Sequence, residues 1–440
     1  MIENYSISNI KFIFSLIALI IFWAIGLLTD LLAVAYFSAF FGTVISFYYL
    51  LKFFNGILNP FKFLRIASIS LIFSTNLTWI ISGIFVFLYY KTDLFSFLKN
   101  MLGINHESYL GAIIFTLIFS LVLFFFSLNK KLILEENYVA NKVRNATEIN
   151  NKIIFLIITV IVILEIYLIN TGFIEYRTFD DESFKLGIIS PWIPYLNYIF
   201  HFHIGLLALL IYKNEGIKFN LKNYILIICS LLILGLIFFS RGRFRFFFSY
   251  IELAFWYCFF KNHLPKLKTI IIALFIFLPI LYNLTLFNQF LRNSINPADD
   301  FNSKNLLSTI QDTYENWKLG SEKEIVVELT TENFTDRFLS LYPLAESLEL
   351  KSNEKDYLLG ENIFNNLIWA IPRIIYPGKT NFPIGERLMY ENFALSFSDT
   401  SNSIYLFSYL DFWYFGLFLY PLLFFFYWKL LLFLITKEEK

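Results

Sequence analysis

The stretch FFSRGRFRFFF at 238–248 sets three arginines, Arg241, Arg243 and Arg245, between two runs of hydrocarbon side chains. A guanidinium never deprotonates, and its planar fork matches phosphate oxygens two at a time. Arg241 and Arg245 are four apart, so on a helix they share a face, and Glu252 lies a heptad further along it. An arginine pair with a carboxylate one to two turns deeper describes a polar pocket in apolar surroundings. Ionisable residues at that depth in a membrane default to functional roles. The chemistry expected is capture of an anion at the membrane surface, such as the phosphate or pyrophosphate of a lipid. Gly242 lets the backbone approach it closely. The competing reading is that the arginines snorkel to headgroups and cap helix ends.

A second basic set lies in AIPRIIYPGKTNFPIGER at 370–387, with Arg373, Lys379 and Arg387 among Pro372, Pro377, Pro383, Gly378 and Gly385. Proline and glycine turn and stiffen a loop, and so hold basic side chains at fixed places. A solvated rigid surface loop is the plainer alternative. A hydroxyl nucleophile needs a general base, and the candidates are Asp411, Asp399, Glu386 and Glu252. The sequence does not rank them. His201 and His203 are two apart, so on a helix they point to different sides. A metal site is not expected there, and a hydrogen-bonded role is. Cys229 and Cys258 are too far apart in apolar segments to read as a disulfide framework or a metal site.

These residues must be positioned by hydrocarbon. Of 440 residues 58% are hydrophobic, 56 are Phe, and the mean hydropathy is +0.62. That excludes a soluble globular class and gives an all-α polytopic membrane protein. The net charge of +1 carries no information about partners. About ten spans are expected, at 10–28, 32–51, 63–90, 109–128, 153–170, 189–212, 224–240, 246–260, 269–290 and 404–428. The last is long enough to bend or split. The start, MIENYSISNIKF, lacks a basic n-region and a cleavage site, so the first run reads as a retained helix.

Ten spans put both termini on one side, and the excess of Lys and Arg in alternate links makes that side cytoplasmic. The chain then divides into a bundle at 1–290, one large outer loop at 291–403, and a last span with a cytoplasmic tail at 404–440. Apolar residues recur throughout the loop, as in TDRFLSLYPLAESLEL and ENIFNNLIWAIPRIIYP, which predicts short amphipathic helices rather than disorder.

Three places resemble the Wzy-type polymerases of bacterial O-antigen and capsular repeat units. They are S-R-G-R at the outer end of a middle helix, I-P-R-x-x-x-P-x-K (Ile371, Pro372, Arg373, Pro377, Lys379), and D-x-x-Y-x-G opening the last span (Asp411, Tyr414, Gly416). The large outer loop late in the chain resembles theirs too. The resemblance implies a metal-independent inner-membrane glycosyltransferase with no cofactor and with its active site facing the periplasm. It would transfer an undecaprenyl-pyrophosphate-linked glycan to a new lipid-linked repeat unit and release polyprenyl pyrophosphate. Arg241, Arg243 and Arg245 would hold one pyrophosphate, and Arg373, Lys379 and Arg387 would clamp donor or acceptor. The implied partners are membrane lipids, the two lipid-linked glycans, a chain-length regulator and a flippase, with no nucleic acid. The alternatives are an O-antigen ligase and a non-catalytic flippase or transporter of lipid-linked glycan. Ligases depend on a histidine in their outer loop, and none of His106, His201, His203 and His263 lies in 291–403.

Overall fold

A computed structural model describes residues 2–54, 59–145, 148–170, 193–215, 221–240, 243–263, 341–349, 357–371 and 404–437, with single residues 268, 283, 376 and 378. Among them the secondary structure is helical and holds no strand. In chain order the helices are α1 (Ile2–Thr29), α2 (Leu32–Phe54), α3 (Phe63–Tyr90), α4 (Leu94–Met101), α5 (His106–Phe126), α6 (Lys130–Asn145) and α7 (Asn151–Asn170). They continue as α8 (Ile193–Asn214), α9 (Leu221–Ser240), α10 (Arg243–Lys261), α11 (Tyr342–Glu349), α12 (Glu361–Ala370), α13 (Ile404–Phe412) and α14 (Gly416–Lys437). Among the described residues six segments are long and apolar enough to cross a membrane: Asn9–Thr29, Leu32–Lys52, Phe63–Leu88, His106–Phe126, Asn151–Leu168 and Ile404–Lys437. The protein is thus a helical membrane-embedded chain, as its composition requires. Such a helix satisfies every backbone group internally. Buried hydroxyls do the same by bonding back one turn, as Thr116 does to the Ala112 carbonyl at 2.9 Å and Ser120 to that of Thr116 at 2.8 Å.

The chain forms two compact units, 1–140 with 333–440, and 141–332. In the first unit α5 is the central helix, packed by α1, α3, α11 and α14. Its buried face runs from Tyr109 to Phe124. An aromatic cluster forms beside it, where Trp79 meets Trp23 edge-on at 5.6 Å and Tyr109 at 5.6 Å. A polar tie in this cluster is Asn76, which accepts from Trp23 Nε1 at 3.1 Å and donates to the Ile72 carbonyl at 2.7 Å. Gly42 of α2 makes room for it, because a Cβ at Gly42 would overlap the Asn76 amide. Small residues at close helix crossings are the usual way membrane helices approach.

The sequence reading marks no helices at 94–101 and 130–145. Both form helices too short or too polar to span: α4 has eight residues and buries Leu94, Phe97 and Leu98, and α6 is largely polar. In α6 the buried positions are Leu132, Glu136, Val139 and Ala140. Within the stretch read as the large outer loop, α11 and α12 are short helices. α11 is packed onto α5, burying Tyr342, Leu344 and Ala345. Its last residue, Glu349, accepts from the Asn105 backbone N–H at 3.1 Å and side-chain amide at 2.8 Å, just before α5 begins.

In the second unit α8 is central. Phe200, Ile204 and Leu207 of α8 pack with Leu234 and Ile237 of α9, and Leu253 and Trp256 of α10 close over them. α9 ends at Ser240 and α10 begins at Arg243, so the two form a tight hairpin.

Candidate functional site

The expected site residues divide between the units. Arg243 and Arg245 stand on the first turn of α10, at the tip of the α9–α10 hairpin. Arg245 and Glu252 are seven residues apart on α10, about 10 Å along its axis at 1.5 Å per residue. Arg241, Arg373, Lys379, Arg387, Glu386 and Asp399 lie outside the described residues.

Asp411 is described in full, at the end of α13 in the first unit. It is completely buried. Tyr420 of α14 donates its hydroxyl to Oδ2 at 2.6 Å, and the Asn362 backbone N–H donates to Oδ1 at 3.3 Å. Asn362 is the second residue of α12, so the carboxylate sits at the positive N-terminal end of that helix, where backbone donors lack partners of their own. The chain reaches this position by a sharp turn. Leu359 and Gly360 both take left-handed conformations, φ 49° and 91°. The preceding Leu358 N–H donates to the Leu410 carbonyl at 3.0 Å.

The last span is bent here, as its length predicts. α13 stops at Phe412, a three-residue 3-10 turn follows at Trp413–Phe415, and α14 starts at Gly416. Trp413 itself is left-handed, φ 54°. A Cβ on Gly416 would run into the Ser408 carbonyl, so only glycine lets the two helix ends pass this closely. The turn carries an aromatic group: Trp413 stacks on Tyr357 at 6.0 Å, and Tyr414 meets Tyr409 at 5.8 Å. The D-x-x-Y-x-G pattern thus holds an anchor (Asp411), an exposed ring (Tyr414) and a packing glycine (Gly416).

Glu252 lies in the second unit. Its Oε2 is 2.7 Å from His201 Nδ1 of α8, and Trp256 Nε1 donates to Oε1 at 3.4 Å. His203 turns to the other side of α8, as the H-F-H spacing predicts. Its Nδ1 is 2.9 Å from both carboxylate oxygens of Glu165 on α7. Histidine and carboxylate are both fully buried. Sequence reasoning passed over Glu165, although one carboxylate inside NKIIFLIITVIVILEIYLIN was a signal in itself.

Two further ionisable sets are present. In the first unit, Glu136 of α6 is buried and accepts from Trp428 Nε1 at 3.1 Å. Burial raises its carboxyl from 4.5 to about 7, against the opposing pull of Trp428, Arg65 and Lys62. Asp30, His106 and Glu107 bring one potential metal-ligand atom each within 4.8 Å of one another, between the α1–α2 turn and the start of α5. Both carboxylates of that set are open to solvent. Comparison with protein-family models, curated proteins and solved structures gives no match to this chain.

Proposed function

We propose that this protein is a bacterial inner-membrane glycosyltransferase. It polymerises polyprenyl-pyrophosphate-linked oligosaccharide repeat units on the periplasmic face. In this reading the six spans are part of a set of ten, with both termini cytoplasmic and 291–403 outside. The observation that carries the reading is the grip of Asp411 on α12. It ties the D-x-x-Y-x-G pattern to the helix that ends at Ala370, directly before Ile371-Pro372-Arg373. Two of the three short patterns that carry the resemblance are therefore joined, with a buried carboxylate as the joint. The third, S-R-G-R, belongs to the α9–α10 hairpin.

The chemistry follows from charge. The leaving group is a diphosphate, and fixed cations stabilise its developing charge without a metal. Arg241, Arg243 and Arg245 hold one pyrophosphate, and Arg373, Lys379 and Arg387 clamp the other lipid-linked partner. Asp411 has both oxygens engaged and no exposed surface, so its part is to position α12. The general base then falls to Glu386, Asp399 or Glu252. The partners are the two lipid-linked glycans, with a flippase supplying them and a regulator setting chain length.

The test uses purified protein in liposomes, given only its lipid-linked repeat unit. A product ladder spaced by one repeat, formed without added metal or nucleotide sugar, supports the polymerase. Transfer that appears only when lipid A core is supplied makes it a ligase. Lipid crossing the bilayer with no new glycosidic bond makes it a flippase. Arg241→Ala should abolish the ladder while the protein still inserts, and normal ladders from that variant would remove the pyrophosphate role.

A further inference from the structure

The pair formed by Glu165 and His203 has a property that the glycan reading does not use. Both side chains have no exposed surface, in the interior of an apolar unit. The imidazole Nδ1 is 2.9 Å from each carboxylate oxygen. The other ring nitrogen, Nε2, is buried and has no hydrogen-bond partner among the described residues.

Two demands on this pair oppose each other. With Glu165 ionised and His203 neutral, the Nδ1–H is shared between both oxygens. Every hydrogen then has an acceptor, and only the Nε2 lone pair goes unused. That form leaves a net negative charge out of water, which is strongly unfavourable. Adding one proton cancels the charge. It also leaves one N–H or O–H without an acceptor, because Nε2 has no partner among the described residues. Burying a net charge costs more than orphaning one donor, so the closed structure favours the loaded, neutral pair. Water that reached the pair would remove the charge penalty and let the proton go.

Among the described residues of α7–α10, charge lies at the helix ends and at one other interior position. Away from the helix ends, the charged residues of α7, α9 and α10 are Glu165 and Glu252 alone, and Glu252 is engaged by His201 on the other side of α8. The charges at the ends are Lys152 on α7, Lys213 on α8, Lys222 on α9, and Arg243, Arg245 and Lys261 on α10. The remaining titratable groups are Tyr167 on α7, Tyr195, Tyr198 and Tyr212 on α8, Tyr224 and Cys229 on α9, and Tyr250, Tyr257 and Cys258 on α10.

From this geometry we infer that Glu165 and His203 form an intramembrane proton-binding centre, which carries one exchangeable proton. Chains of buried carboxylate and histidine are how membrane proteins bind and pass protons. The step balances simply: one proton enters the carboxylate–imidazole pair from water and leaves to water, and no other bond changes.

The experiment uses full-length protein in nanodiscs, with the histidines carrying 15N. Infrared difference spectra and 15N spectra are taken from about pH 5 to about pH 9, a range spanning ordinary carboxyl and imidazole values. The loaded pair appears either as a carboxylic-acid C=O stretch or as a doubly protonated imidazole. One such signal should be present in the wild type and missing from Glu165→Gln. Glu252→Gln should leave it in place. Wild-type and Glu165→Gln spectra that superimpose through the whole range overturn the inference, as does a signal lost in Glu252→Gln and kept in Glu165→Gln. A second variant guards against misfolding. In His203→Gln the amide still donates to Glu165 but takes no proton. The Glu165 carboxyl should then stay protonated to the top of the range, and ionisation at an ordinary carboxyl value overturns the proposal.

Discussion

Asp411 and Glu165 are both fully buried carboxylates among apolar helices, one in each unit. Their surroundings give them opposite capacities. Asp411 accepts from a peptide N–H and a tyrosine hydroxyl, donors that hold their protons at any ordinary pH. Glu165 faces an imidazole, a group that can take up a second proton as well as donate one. The first is therefore a fastener and the second a proton holder. What decides the role of a buried acid is whether its partner titrates.

The comparison can be broken most directly at Asp411. Asp411→Ala strands two buried donors, which should cost about 4 kcal/mol of stability at roughly 1–3 kcal/mol per unsatisfied group. Thermal unfolding in detergent measures it, and Asp411→Asn, which keeps an acceptor oxygen, should lose much less. Equal losses in the two variants would mean that the carboxylate does not fasten α12. Glu136 supplies a third buried acid, one that does titrate. Its folded value, raised from 4.5 to about 7, makes protonation favourable to the fold. The stabilisation is complete below the unfolded value, falls as pH rises above it, and is gone above about 7. Over that window the loss should be about 3 kcal/mol at 1.36 kcal/mol per unit. Unfolding midpoints measured from pH 4 to pH 8, in the wild type and in Glu136→Gln, should diverge in that sense, and parallel curves would refute it. The smallest effect is expected at Gly360. Its φ of 91° strains any other residue, so Gly360→Ala should cost about 1–2 kcal/mol and loosen α12 before it loosens α5. Amide hydrogen exchange along both helices reads this difference.

Much of the scaffold is legible in the sequence, because hydrocarbon runs of span length leave little choice. α3 is expected and found at 63–90, and the bend of the last span follows from its length. α6 escapes because its apolar face is only a few residues wide and its mean hydropathy is low. The opposite facing of His201 and His203 follows from helical pitch. Glu165 as the partner of His203 does not, because that pairing bridges 38 residues and depends on how α7 and α8 pack. Asp411 is legible as a residue of interest through its motif. Its grip on a helix 49 residues earlier is a product of tertiary structure, and no local spacing encodes it.

The broken last span also constrains how the protein is made. α14 has 22 residues, about 33 Å of helix, and crosses a bilayer core unaided. α13 has nine, about 14 Å, and carries an aspartate that lipid would reject. During biosynthesis α14 therefore inserts on hydrophobicity alone. α13 settles only once α12, synthesised earlier, presents its N-terminus to receive Asp411. A nascent chain arrested within α13 should leave α12 open to proteolysis, and one that has completed α14 should protect it.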